Sequence, residues 1–528
     1  MTEKKGNAKL PNFEELTQAA ERFATFGGDS EAAFEALASL VDSANDEDNE
    51  AALVKSIELA EGIEAKCLPK DACLVRYNRS NAWASLQRLR STPQKAWSWE
   101  QPELLEQIYW LRSAVQHEGY AKLPASRRAQ IHCNLGNALS EAGRFVDSLD
   151  EWRCALHEQP ILGMARGSLG KGLVRYGLAL YDEGHTYWFL RQGQQELAQA
   201  VAGGVGRDGS TYPAALAHFE TCLAKVEHML GADATMHDDE LPTFSLGRSR
   251  REQQYRQWSL ERHLFLNPLN DLGINSVAAQ DVLLLPTHRA DKVGITFLAF
   301  FNQLKQEYAY ARWCLYDGSS GQRVHLADRG VRLAFNCDYA LYAMGLEQVK
   351  TAFRSAYSLL DKVAFFVNDY WQLGIPERKV NFRSVWFEES KEKGTQEQVR
   401  QVFEASENLP LRGLFWLAKD IYFKGLRDVA HPNAQDLDSL RNHLEHKYVK
   451  VVDPFARITN PRDVFQDKLA HKVERDELLA KTERLLQLSR SALIHLCLAM
   501  HFEEQRTQGS GDLLFSLDVE TYPDNHKV

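Results

Sequence analysis

The stretch from Ile131 to Pro160 constrains the fold of this 528-residue chain more than any other. It reads Ile131-His132-Cys133-Asn134-Leu135-Gly136-Asn137-Ala138-Leu139 and continues through Gly143, Ser148, Trp152 and Ala155 to Pro160. Leucine then glycine, a second leucine, a small residue, an aromatic, an alanine and a closing proline describe two helices facing each other. The small residues let the helices approach, Leu135 and Trp152 fill the space between them, and Pro160 stops the second helix. A single pair of this kind cannot bury both faces, so several must stack.

This order of large and small residues resembles the tetratricopeptide (TPR) repeat. Weaker echoes flank it at Tyr77-Asn78-Arg79-Ser80-Asn81-Ala82-Trp83 and at Leu169-Gly170-Lys171-Gly172-Leu173. Residues 51–235 therefore predict a TPR-like helical solenoid. Its concave side offers a place for a peptide, protein or nucleic-acid ligand; the alternative is a scaffold for a second, C-terminal domain. Residues 1–50 predict capping helices at Phe13–Phe26 and Glu31–Val41, then an acidic loop over 42–48. The glycine-rich run 203–210 lacks the Gly-x4-Gly-Lys order of a phosphate cradle and reads as a loop.

Residues 236–290 predict a linker carrying one basic and aromatic helix. There Arg248, Arg250 and Arg251 precede Tyr255, Arg256 and Trp258. Arginines bind phosphates and rings stack on bases, which makes this a candidate RNA track. The alternative is a helix whose rings pack inward. A turn-rich connector comes next, at 267–273. Beyond it, helices predicted over Phe297–Leu315, Tyr339–Trp371, Leu411–Phe423 and Asp467–Glu504 make 291–508 a helical bundle, with extended pieces such as 380–386 as insertions. The tail, 509–528, has no helical pattern. The expected fold class is all-α.

The formal net charge of −10 argues against a broad basic coat for nucleic acid, so any RNA contact must be local. Eight cysteines are scattered without a Cys-x-x-Cys pair, which predicts reduced, buried thiols and no structural zinc. No run approaches the length of a membrane span and no apolar signal core follows Met1; the expectation is a cytoplasmic protein with no membrane partner.

The most chemically loaded segment is Ser439-Leu440-Arg441-Asn442-His443-Leu444-Glu445-His446-Lys447-Tyr448. Asn433 and Asp436 read as a cap and first-turn acid, Leu437, Leu440 and Leu444 recur at helical spacing, and Asp453-Pro454 marks the end. On that helix Asn442 and His446 share a face, whereas Arg441 and His446 diverge by roughly 140°. A long, flexible arginine or a second copy of the helix across a two-fold axis would bring both to one phosphate, and the second of these makes a homodimer the expectation.

Arg-x4-His with a polar residue after the arginine resembles the signature of the HEPN superfamily, metal-independent ribonucleases and nucleotide-binding helical bundles, over roughly residues 290–506. With the TPR-like array upstream, the arrangement is similar to bacterial TPR-linked HEPN proteins. The resemblance implies an endoribonuclease of antiphage defence or toxin-type growth arrest. An imidazole titrating near neutrality suits His446 to acid or base work, a fixed two-donor cation suits Arg441 to the charge gathering on phosphorus, and Asn442 would hold the imidazole or a phosphate oxygen. His443 and Lys447 are placed to bind flanking phosphates. Asp361 and Asp369 are candidates to orient the site or to serve structure alone. His-x-Glu-His fits no metalloprotease order, and neither a metal nor a cofactor is expected. Two other readings stand: a non-catalytic TPR adaptor whose bundle dimerises or binds nucleotide, and a toxin partner of a nucleotidyltransferase.

Overall fold

A computed structural model describes residues 13–205, 211–231, 241–287, 296–320, 324–334, 340–388, 398–421, 431–432, 434–453, 469–507 and 521–527. Its N-terminal helices are α1 (Phe13–Phe26), α2 (Ser30–Asp46), α3 (Glu50–Glu64), α4 (Pro69–Arg90), α5 (Pro93–Ala96), α6 (Pro102–Val115), α7 (Ala125–Glu141), α8 (Phe145–Glu158), α9 (Gly163–Gly177), α10 (Glu183–Gly203) and α11 (Pro213–Leu230). Local chemistry starts them. Asp29 accepts from Glu31 N at 3.0 Å ahead of α2, Asn49 accepts from Ala52 N at 3.0 Å ahead of α3, and prolines open α4 and α6. The expected acidic loop starts later than its composition suggests, because α2 runs on to Asp46 with Ala44 buried and Asp42 turned to solvent.

Each long helix packs on the next in the chain, as a stack of helix pairs requires. Trp152, on α8, is the wedge. A Cβ at Gly136 on α7 would lie 2.7 Å from its ring, and one at Gly172 on α9 would collide with it from the other side. Trp152 Nε1 donates to Asn137 Oδ1 at 3.0 Å, so the ring is fixed as well as enclosed.

The C-terminal part contains α12 (Arg250–Glu261), α13 (Thr296–Ser320), α14 (Met344–Tyr370), α15 (Gln401–Glu404), α16 (Leu409–Ala418), α17 (Ala434–His446) and α18 (Arg475–Thr507). Helix α18 lies at the centre, against α13, α14 and α16. It is long and apolar enough to cross a membrane, but 83% of its apolar window is buried inside the protein, the setting of a core helix. The fold is all-α but for one small sheet among the described residues. There the expectation of helix up to Asp453 is corrected. Helix α17 stops at His446, and Tyr448–Val452 forms β1, paired in parallel with β2 (Ala470–Glu474). The β-branched residues of Tyr-Val-Lys-Val-Val favour a strand, and Val449 and Val451 share its buried face. On the other edge, Leu341 N donates to Val451 O at 2.8 Å.

One hydrophobic core runs from Cys73 to Met500, across the expected boundary between solenoid and bundle. Trp99 stacks on Phe403 at 5.2 Å, and Arg412 donates to Glu141 O at 2.6 Å. The turn after α7 reaches the bundle through Gly143, whose positive φ of 87° brings its carbonyl within 3.0 Å of His495 Nε2. The stretch expected as a linker is partly a buried wedge: Asn270 and Asp271 are almost fully enclosed, and Asp271 accepts from Arg490 at 2.7 Å and from Tyr176 at 3.1 Å. Cys73, Cys133, Cys314 and Cys497 are buried, whereas Cys154 is exposed and Cys67 and Cys222 are half-buried; none of these forms a disulfide. Cys337 lies outside the described residues.

Candidate functional sites on helix 17 and at the domain junction

Leu437 and Leu440 anchor α17 in the core. Arg441, one position past Leu440 and four past Leu437, is therefore half-buried, with its guanidinium carbon 5.0 Å from the Tyr357 ring centroid on α14. Asn442 donates to Asp438 at 3.3 Å. His443 Nδ1 donates to Ser439 O at 2.8 Å, and its ring lies 4.8 Å from that of His471 on β2. Burial, followed by the charges of His443 and Lys481, holds the His471 imidazole below its usual range. His446 and Lys447 are exposed.

Within one chain, then, Arg441 faces α14 while His446 faces solvent, the divergence the spacing predicts. Asp361 accepts from Phe382 N at 3.1 Å and Asp369 from Asn368 at 3.1 Å, so both also serve local structure. Asn433, the expected cap, lies outside the described residues.

The rings of the basic and aromatic helix turn inward. Tyr255 packs on Trp313 and on Tyr316, each at 5.1 Å, and Trp258 lies 5.4 Å from Tyr316. Arg248 and Arg250 are exposed, while Arg251 pairs with Asp317 at 2.8 Å. Phosphate contacts remain open to these arginines, but the two rings are already occupied as stacking platforms.

A second constellation lies where α6, α8 and α18 meet, around a cavity of about 240 Å³. Asp420, fully buried just past α16, receives Arg112 at 2.5 Å and Arg144 at 3.0 Å, and Arg484 stands at 3.7 Å. Burial would raise the Asp420 carboxyl, but the three guanidinium groups hold it far below the carboxylate range. His431 lines the cavity, with Nε2 3.3 Å from Gln116 Nε2. Burial first, then Arg484 and Arg112, keep its imidazole well below its usual range, so it is neutral at pH 7. Asp150 also lines the cavity. Burial pushes its carboxyl up to about 7, with Asp271 and Asp147 adding to the shift and Arg153 opposing it.

Sequence reading passed over this group. The local signal was Leu426-Arg427-Asp428-Val429-Ala430-His431-Pro432, with arginine, acid and histidine close together; residues 422–430 lie outside the described residues.

The C-terminal helical bundle of this chain matches a HEPN family model. Residues 289–503 match the family described as LA2681-like HEPN. HEPN domains are in general ribonucleases or serve nucleotide-related functions. No curated protein and no solved structure matches the chain.

Proposed function

We propose that this protein is a metal-independent endoribonuclease acting as a homodimer, with Arg441 of one chain and His446 of its partner at one scissile phosphate. The carrying observation is the placement of the two residues on α17: one half-buried over Tyr357, the other exposed at the helix end. His446 takes the proton of the ribose 2′-hydroxyl as that oxygen attacks phosphorus. Arg441 holds the charge developing on the phosphoryl oxygens, Asn442 steadies the imidazole or a phosphate oxygen, and the leaving 5′-oxygen takes a proton from water, leaving a 2′,3′-cyclic phosphate and a 5′-hydroxyl. His443 and Lys447, with Arg248, Arg250 and Arg251, bind flanking phosphates. The TPR-like helices target or regulate the reaction, and the setting is antiphage defence or toxin-type growth arrest in the cytoplasm.

Complementation tests the composite site. Arg441→Ala and His446→Ala should each be inactive alone, and their mixture should recover a substantial fraction of wild-type cleavage because mixed dimers hold one intact pair. A mixture as inactive as its components contradicts the shared site.

A second reading is favoured by the junction cavity: His431, neutral and beside Arg112 and Arg484, is an alternative base. Under it His431→Ala abolishes cleavage and His446→Ala does not. If neither changes RNA, the non-catalytic adaptor reading replaces both.

A further inference from the structure

Along the outer face of α13, Tyr310, Trp313 and Asp317 follow one another at helical spacing, and Tyr310 is 53% exposed. Arg251, from α12, lies over Trp313 with its guanidinium carbon 5.0 Å from the ring centroid, and pairs with Asp317 at 2.8 Å. On the other side of α13 runs α14, antiparallel to it: Gln348 donates to Asp317 at 2.9 Å and Lys362 to Glu307 at 2.6 Å. That register sets the turn of α14 holding Arg354 opposite Trp313. Arg354 is exposed and lies one turn before Tyr357, the ring beneath Arg441. The row Arg251, Trp313, Tyr310, Arg354 and Arg441 therefore crosses α12, α13, α14 and α17 in that order. The carboxylates beside it already hold cations: Glu252 pairs with Arg256, Asp317 with Arg251, Glu347 with Lys350 and Glu307 with Lys362. Arg250 and Arg354 have no ion-pair partner among the described residues.

We propose that single-stranded RNA crosses the bundle on this row, with an unpaired base stacked on Tyr310 and the backbone held by Arg250, Arg251 and Arg354 before it reaches Arg441. A nucleic-acid backbone needs cations along its path, and a base needs an open ring. Tyr310 offers the open ring that Tyr255 and Trp258 do not, since those two pack on Trp313 and Tyr316. Stacking of this kind requires a base outside a duplex, because paired bases are stacked on one another. The row thus gives the proposed ribonuclease a single-stranded substrate, and it rests on that reading for its end point, Arg441. Tyr310 and Arg354 touch RNA away from the reacting atoms, so their loss acts on binding.

The test is fluorescence anisotropy of the full chain with labelled 2′-O-methyl RNA, which has no free 2′-hydroxyl to attack phosphorus, as a single strand and as a duplex, and with polyphosphate, which has charge but no bases, as competitor. The single strand should bind roughly tenfold more tightly than the duplex, and polyphosphate should compete weakly. Tyr310→Ala should weaken the single strand roughly 5- to 100-fold, the loss of one base–ring stack, and Tyr310→Phe should stay within about twofold of wild type. Arg354→Gln should weaken it too and lower the slope of log affinity against log salt by about 0.7, one phosphate contact on a single strand. Both positions are exposed, and an unchanged melting temperature checks that the variants fold. No binding of the single strand at micromolar protein, unchanged affinity in Tyr310→Ala, equal losses in Tyr310→Ala and Tyr310→Phe, or duplex or polyphosphate held as tightly as the single strand overturns the proposal. Cleavage of unmodified RNA is read separately. A chain that binds as expected but never cuts keeps the track and loses the ribonuclease reading, whereas one that cuts with kcat/KM unchanged in Tyr310→Ala loses the track alone.

Discussion

The guanidinium of Arg441 rests over the ring of Tyr357, 5.0 Å from its centroid, so a residue of α14 sets the direction of a cation on α17. Tyr357 is buried and cannot move far. Replacing it with leucine removes the ring face. With a cation–π contact contributing about 0.5–2 kcal/mol, kcat on an RNA oligonucleotide should fall roughly 2- to 30-fold. Tyr357→Phe keeps the face and should stay within about twofold of wild type. Equal losses in both variants would show that the hydroxyl, rather than the ring, matters.

Asp420 is the carboxylate on which Arg112, Arg144 and Arg484 converge. Asp420→Ala leaves buried cations without their partner, and equilibrium denaturation should show a loss of about 3–5 kcal/mol. A loss under 1 kcal/mol would mean that the network does not hold the two parts together.

Gly172→Ala places a methyl group against Trp152 and should cost about 1–3 kcal/mol in thermal unfolding. Gly203→Ala, where nothing lies within 4 Å of the added carbon, is the control and should be neutral or slightly stabilising.

The Trp152 contacts were legible because their pattern is local: Leu135, Gly136, Trp152 and Ala155 recur at helical spacing within one segment. The divergence of Arg441 and His446 was legible for the same reason, since helix geometry alone decides it. Strand β1 was not, because its partner begins at Ala470, beyond any local window. The junction cluster was hidden for a stronger reason. Arg112, Asp147, Asp420 and Arg484 come from four distant segments, and only tertiary packing makes them neighbours.

The most direct measurement is cleavage of a labelled RNA by wild type, with and without chelator, beside His446→Ala, with product ends identified. Wild type should cut equally well in chelator and leave 2′,3′-cyclic phosphate ends, and His446→Ala should lose on the order of 10² to 10⁴ in rate. Cleavage that stops in chelator and returns with added divalent metal, or a His446→Ala variant as active as wild type, would contradict the assignment.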